Sequence, residues 1–499
     1  MARLYKNFIG GQWVESRSGE TFNSINPADR DEVVGVFQRS NRDDVVSAID
    51  AAAAAFHGWS TTPAPSRAEI ILRVGLLMEA RKDELGALVT REMGKVLAEG
   101  KGDVQEGIDM AKYMAGEGRR MFGETVPSEL RNKFAMLIRQ PIGVVGLITP
   151  WNFPFAIPTW KMFPALLCGN TVVFKPAEDT PACATALVEL FEEAGLPPGV
   201  LNLITGFGPE AGAPIVDDAR VRMISFTGSS VVGRDVASRA GHALKKVMLE
   251  LGGKNAQIVM PDANLDLALE GVLWGAFGTT GQRCTATSRL ILHDAIADEF
   301  TERLIERAKA LKIGFGLNEG VDVGPLINEQ QLETVSAYTQ VGIDEGATLA
   351  LGGHSLTDGD LAKGFFYEPT IFTDVNYRMR IAQEEIFGPT LSILRVHDYE
   401  EAVMVANSTQ YGLSSAIYTQ DVTLAFRAIH ELEAGITYVN APTIGAEIQL
   451  PFGGVKATGN GHREAGTSAI KEFTEIKSVY VDYSGKLQRA QIDVEKHGA

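Results

Sequence analysis

Cysteine is scarce in this chain: Cys168, Cys183 and Cys284 are the only three among 499 residues, and no two are spaced C-x-x-C. So few, in odd number, argue against a disulfide framework and for a reducing, cytoplasmic setting. Long apolar runs are missing as well. No stretch reaches the roughly 18 uninterrupted apolar residues of a membrane-spanning helix, and the opening MARLYKNFIG lacks the apolar core of a secretion signal. A soluble protein without membrane contact is expected. Basic residues fall short of acidic ones, 46 against 63, for a formal net charge of −17. Nucleic-acid binding needs Lys and Arg clustered against phosphates, so a diffuse acidic surface opposes it and favours solubility instead. The G-x-S-x-G elbow, the Walker loop and H-E-x-x-H are all absent. No metal centre is expected.

What remains is an ordinary globular composition, 45% hydrophobic and 22% charged with 52 glycines. At roughly 150 residues per domain, the length allows two or three domains. Phe8-Ile9 and Trp13-Val14 flank Gly10-Gly11-Gln12, a hairpin signature. Val45, Ile49, Ala52 and Phe56 form a helical stripe behind Asn41 as N-cap, and residues 66–99 continue in helical style. Between 142 and 250 the pattern changes. Apolar runs at Val144–Ile148, Thr171–Phe174, Val200–Ile204, Met223–Phe226 and Val247–Leu249 alternate with helical stretches such as Thr180–Ala194. That helix has Thr180 as cap, Pro181 in its first turn and Gly195 past its end. A second alternating region spans about 256–440, and Val479–Tyr483 is a strand-like tail. Strands alternating with helices predict an α/β fold with a doubly wound parallel sheet.

Two glycine clusters follow predicted strands. Gly206-Phe207-Gly208-Pro209-Glu210-Ala211 matches G-x-G-x-x-G/A formally, and Gly228–Gly233 opens another helix. Either turn would let a pyrophosphate approach backbone N–H groups at a helix N-terminus, and the formal match favours the first. Lys175-Pro176-Ala177-Glu178 follows the Thr171–Phe174 run, where a carboxylate can bind ribose hydroxyls and repel a 2′-phosphate. A cysteine is by default a small buried hydrophobe. Cys284 differs, because glycine, threonine and Arg283 surround it, and the arginine's charge favours thiolate if it comes near. Cys168 and Cys183 sit in apolar helical settings and read as structural. Glu250 precedes Leu251-Gly252-Gly253 at a strand end, either facing a cleft or lying on the surface.

Taken together, these pieces resemble the aldehyde dehydrogenase superfamily over nearly the whole chain. The motifs that carry the resemblance are Pro150–Pro154, Phe174–Glu178, Phe226–Gly233, Leu249–Lys254, Gly281–Thr285, Glu384–Pro389 and Pro451–Lys456. The resemblance implies that Cys284 is the nucleophile, Asn152 an oxyanion donor beside the backbone N–H of Cys284, and Glu250 the general base. Lys161 and Glu464 match a proton-relay pair. For the cofactor, NAD with NADP as a possibility, it implies contacts from Thr149, Trp151, Lys175, Glu178, Gly208, Gly228, Ser229, Gly233, Glu385 and Phe387. It puts the pyrophosphate at Gly228–Gly233, against the formal preference for the first cluster.

The fold so implied has a Rossmann-like cofactor domain (1–122 and 142–252), an α/β catalytic domain (253–458) and a small β oligomerisation element (123–141 and 470–499). Homodimers or homotetramers are the family's usual assemblies. For the substrate, Arg283 before the nucleophile, Glu106 and Gly445–Ile448 are similar to semialdehyde-oxidising branches, antiquitin-like enzymes and α-ketoglutaric semialdehyde (2,5-dioxopentanoate) dehydrogenases. Lys175–Glu178 departs from the antiquitin pattern. An aldehyde with a distal carboxylate is expected, with Glu106, Phe153, Arg283 and Phe452 lining its pocket. A neutral aliphatic or aromatic aldehyde is the alternative, with Arg283 bound instead to backbone or a nearby acid. Two readings from other classes are an inactive cofactor-binding protein and a cysteine esterase.

Overall fold

The computed structural model describes residues 2–494. The predicted opening hairpin pairs Asn7–Ile9 with Gln12–Val14, and Gly10 and Gly11 both take the positive φ that such a tight turn requires. The helix Arg42–Thr61 starts at Asn41, whose side chain accepts from the N–H groups of Asp43 and Asp44 in a capping box. Its buried stripe runs through Val45, Ile49 and Ala52 to Trp59, while Phe56 is half-buried. The helical stretch expected at 66–99 is divided into Ala64–Ala80, Lys82–Met93 and the start of Leu97–Glu117.

The helix predicted from Thr180 runs Pro181–Glu193, with Gly195 at positive φ beyond it, but its cap differs from expectation. The Thr180 side chain caps nothing. The buried Glu92 carboxylate, from the helix Lys82–Met93, accepts from Ala182 N (2.7 Å) and Cys183 N (2.8 Å) instead. A carboxylate satisfies two of the free N–H groups and matches the helix dipole, which a single hydroxyl does less well.

Two seven-stranded sheets organise the chain. In the first, the spatial order is Lys246–Glu250, Val221–Thr227, Val144–Ile148, Thr171–Lys175, Leu201–Leu203, with the opening hairpin at the far edge. The five strands before the hairpin are parallel. Chain order reverses between Val144–Ile148 and Val221–Thr227, the position where open α/β sheets place ligands beyond the strand ends. The second sheet gathers strands between Thr348–Leu351 at one edge and Ile436–Val439 at the other, and centres on the parallel neighbours Thr287–His293 and Asn255–Val259.

A separate three-stranded antiparallel sheet joins Glu124–Val126, Lys133–Pro141 and Thr474–Asp482. The strand-like tail thus pairs within the chain, register running from Thr474 opposite Pro141 to Asp482 opposite Lys133. Positions 495–499 of the expected oligomerisation element lie outside the described residues. Among the described residues, no helix is long and apolar enough to cross a membrane.

Candidate active site

Parallel strands that end together place their last residues in one row. Thr149, Lys175, Thr227 and Glu250 sit at or just past the ends of four adjacent strands of the first sheet. Above them lies a cleft of about 770 Å³, lined among others by Thr149, Trp151, Lys175, Glu178, Gly208, Gly228 and Ser229. Ser229 caps the helix Ser230–His242 through its hydroxyl and leaves that N-terminus facing the cleft. Gly233, one turn in, is packed against Leu251 with no room for a Cβ. The first glycine cluster follows Leu201–Leu203, the last of the parallel strands before the hairpin, and is wound into a π-turn, Gly208–Gly212. Only the second follows a strand at the chain reversal, so topology separates two turns that look alike as motifs.

Lys175 Nζ is 2.9 Å from Glu178 Oε2, and the glutamate is the more exposed partner. Glu385 and Phe387 come from the second sheet's side of the molecule. Glu385 accepts from Gly253 N at 2.9 Å, and burial lifts its pKa to about 7. The Phe387 ring meets Trp151 edge-on at 5.4 Å. The cleft fits a polar, extended ligand. Thr149 Oγ1 and Thr227 Oγ1 are buried at its floor without a hydrogen-bond partner in the protein, a costly state that ligand oxygens or hydroxyls relieve.

Thr227 also lines a second, narrow cavity of about 60 Å³. Its other walls include Cys284, Glu250, Glu464, Phe153, Phe452, Arg283 and Glu106. Glu106 from a helix of the first half and Cys284 from a turn of the second, far apart in sequence, thus share one pocket. Phe452 packs edge-on to Trp160 at 5.2 Å, closing one wall.

Cys284 is half-buried, whereas Cys168 and Cys183 are buried. Burial raises its thiol pKa, and the carboxylates of Glu250 and Glu385 raise it further, while the N–H groups of Cys284 and Thr285 ease it back. Arg283 does not act as the thiol's activating charge. Its terminal nitrogen is held by Glu99 at 2.8 Å and its Nε by Thr279 Oγ1 at 2.9 Å, so the cation is already paired with a nearby acid.

Glu250 is buried, its Oε2 without a partner, and its pKa is pushed well above the carboxylate range by burial and by Glu464. Lys161 opposes this: it forms a buried ion pair with Glu464 and donates to Ser225 Oγ at 3.0 Å. Asn152 donates through Nδ2 to the Gln282 carbonyl at 3.1 Å, which leaves its second amide hydrogen available beside the nucleophile turn.

The cavity brings a thiol and buried carboxyl groups together, with the Asn152 amide bonded to the residue two before Cys284, groups of the kind that attack on a carbonyl and later hydrolysis need. The aldehyde dehydrogenase family model matches residues 13–479. The chain belongs to the aldehyde dehydrogenase family. It is 44% identical to an α-ketoglutaric semialdehyde dehydrogenase of Bacillus subtilis, over 96% of this chain and 98% of that one. An α-ketoglutarate semialdehyde dehydrogenase of Haloferax volcanii is 43% identical, over 96% and 99%. Among solved structures, the betaine aldehyde dehydrogenase of Staphylococcus aureus, in complex with NAD⁺, superposes with a TM-score of 0.95 at 34% identity, covering 97% of this dehydrogenase and 95% of that chain.

Four residues around this aldehyde dehydrogenase site were not legible in the sequence: Thr227, Lys95, Asp103 and Glu99. Thr227 lies inside the Phe226–Gly233 motif, yet only its place at a strand end and its unpartnered hydroxyl set it apart there. Lys95 and Asp103 form a fully buried ion pair, with the Lys95 ammonium 3.7 Å from the Phe153 ring centre. Asp103 also accepts from Ala156 N at 2.7 Å. Glu99, the partner of Arg283, lies 184 residues away in sequence.

Proposed function

We propose that this dehydrogenase oxidises an aldehyde bearing a distal carboxylate, α-ketoglutaric semialdehyde in the first place, using NAD. The carrying observation is that Arg283 shares the Cys284 cavity while one of its terminal amino groups makes no hydrogen bond among the described residues. A guanidinium so held is a ready carboxylate donor. The names of the Bacillus and Haloferax relatives support the same reading.

Cys284 Sγ adds to the carbonyl carbon, and the Asn152 amide with the Cys284 N–H receives the oxyanion. NAD, when bound, supplies the acceptor for the hydride that leaves this carbon. Glu250 then takes a proton from water as it attacks the thioester, and Glu464 with Lys161 holds the charge behind it. Thr149, Trp151, Lys175, Glu178, Gly208, Gly228, Ser229, Gly233, Glu385 and Phe387 hold the dinucleotide. The carboxylate of Glu178 in the cleft disfavours a 2′-phosphate.

The cofactor-binding domain comprises 1–122 and 142–252, the catalytic domain 253–458. The protein works in the cytoplasm as a homodimer or homotetramer. The three-stranded sheet supports assembly, because Phe134, Ile476, Tyr480 and Val481 stand exposed on it.

Arg283→Gln is the direct test. It is expected to lower kcat/KM for α-ketoglutaric semialdehyde ~10–100-fold beyond whatever loss it causes for hexanal, as removal of a charged hydrogen bond does. An equal loss for both aldehydes overturns the anchor.

Glu106 adds a pH signature. Burial and the neighbouring Asp103 push its pKa up to about 8, against the opposing charges of Arg283 and Lys95, with Asp109 on the same helix adding to the rise. Tyr438 faces it too, its own pKa raised to about 12 by burial and then by Glu106. Below about pH 8 the carboxyl is neutral. Above it, a negative charge appears beside the incoming carboxylate. KM for the carboxylated aldehyde is therefore expected to rise from about pH 7 to 9, a window of one unit either side of that pKa, and Glu106→Gln to flatten the profile. An unchanged profile in that variant removes Glu106 from the pocket's charge balance.

A further inference from the structure

The turn that delivers the nucleophile has an unusual backbone. Three consecutive residues, Thr279, Thr280 and Gly281, take left-handed φ values of +52°, +57° and +67°. Glycine adopts this conformation freely, but β-branched residues avoid it, and two threonines in succession persist there only if their surroundings hold them. The restraints are visible. Both oxygens of Glu99 accept from Thr279 N, at 3.0 and 2.9 Å. Glu99 Oε1 also binds Arg283 at 2.8 Å, and Arg283 Nε returns to Thr279 Oγ1 at 2.9 Å. Glu99, Thr279 and Arg283 therefore close a ring across the base of the turn. Arg283 also lies over the Phe153 and Trp274 rings, at 5.3 and 5.8 Å. Other ties surround the turn, among them Thr280 Oγ1 to Gly324 O at 3.0 Å, Gln282 N to Thr279 O at 3.0 Å, Gln282 Nε2 to Pro325 O at 3.3 Å and Ile327 N to Gln282 Oε1 at 2.9 Å, but Thr279 N is held by Glu99 alone among the described residues.

Glu99 lies in the first turn of the helix Leu97–Glu117, where a carboxylate is favoured by the helix dipole. Its side chain is nearly buried and does not line the cavity of Cys284. Whatever it does to the reaction it does through other groups.

We propose that Glu99 is a positioning residue for the nucleophile: it holds the Thr279–Gly281 turn in its left-handed conformation and so fixes where Cys284 sits. The proposal rests on the aldehyde dehydrogenase reaction, not on which aldehyde is used. A neutral aldehyde therefore tests it independently of the Arg283 anchor.

The experiment compares Glu99→Ala, Glu99→Gln and the double variant Glu99→Ala/Thr279→Gly. Hexanal oxidation and the rate of Cys284 alkylation by iodoacetamide are both measured. A misplacement of about 1 Å at a reacting group costs on the order of 10²-fold in rate. Glu99→Ala is expected to lose kcat on that scale with KM for hexanal little changed, and to alter the alkylation rate per titrated site. Glu99→Gln keeps an oxygen for Thr279 N and is expected to recover most of the loss. In the double variant, glycine takes the left-handed φ without needing the restraint, so kcat is expected to rise at least about tenfold above Glu99→Ala.

A double variant no more active than Glu99→Ala overturns the proposal, as does a Glu99→Ala protein with normal kcat per alkylatable site. The second result would mark Glu99 as merely structural, reducing the amount of folded enzyme and not its turnover. If Glu99→Ala does not fold, Glu99→Gln decides by itself: a loss in kcat on the order of 10²-fold despite the retained hydrogen bond also overturns it.

Discussion

A Cys284→Ala enzyme is expected to lose aldehyde oxidation by ~10⁴-fold or more, because no other group in the cavity can form the covalent intermediate. The two remaining thiols cannot substitute. Cys168 and Cys183 are buried and neither lines the cavity. The fold does not depend on the Cys284 thiol, which lines a cavity instead of filling a core, so thermal unfolding should shift little and binding of NAD should persist. Absorbance of the reduced cofactor follows turnover, and titration with iodoacetamide counts reactive thiols. The wild type should show one fast site per chain and the variant none. Retention of even about one-hundredth of the activity would remove Cys284 from the nucleophile's role.

Glu250→Gln should separate the two halves of the reaction. Attack and hydride loss do not require a base once the thiol has ionised, but hydrolysis of the thioester does. The expected record is a burst of about one equivalent of reduced cofactor per site, followed by steady turnover slowed ~10²–10⁴-fold. Electrostatics adds a second, opposite effect. The Glu250 carboxylate is the leading charge that raises the Cys284 pKa, so neutral glutamine should lower it. Iodoacetamide alkylation at a pH above the Glu250 pKa and below that of the thiol should accordingly speed up while turnover falls. Slower alkylation with no burst would mean that Glu250 deprotonates the thiol, and the assignment to hydrolysis would fail.

Local sequence carried much of the fold. Parallel strands covered on both faces read as continuous apolar runs, which is why Val144–Ile148 and Thr171–Lys175 stand out from the residues on either side of them. Hairpin and cap residues such as Gly10-Gly11 and Asn41 act on their immediate neighbours, so their meaning is written within a few positions. The ordered motifs around Cys284, Glu250 and Asn152 identify the family for the same reason. Each is a short stretch whose backbone and side chains serve one site.

Where several acceptors or turns compete, sequence alone does not choose. Thr180 looks like a helix cap, yet Glu92 takes the position from another helix because its two oxygens satisfy more of the free N–H groups. Two glycine clusters look alike by local pattern; the family resemblance prefers the second, and the strand order gives the physical reason, since it follows a strand at the chain reversal. Arg283 stands beside Cys284 in sequence, but Glu99 from a distant helix holds its guanidinium. Sequence by itself determined the strands, the opening hairpin, the Asn41 cap and the chemical groups of the reaction, since these depend on neighbours along the chain. Tertiary structure decided which charges meet, how the thiol and carboxylates are tuned and what restrains the nucleophile's turn, because Coulomb interaction, desolvation and hydrogen bonding depend on distances in space between residues far apart in sequence.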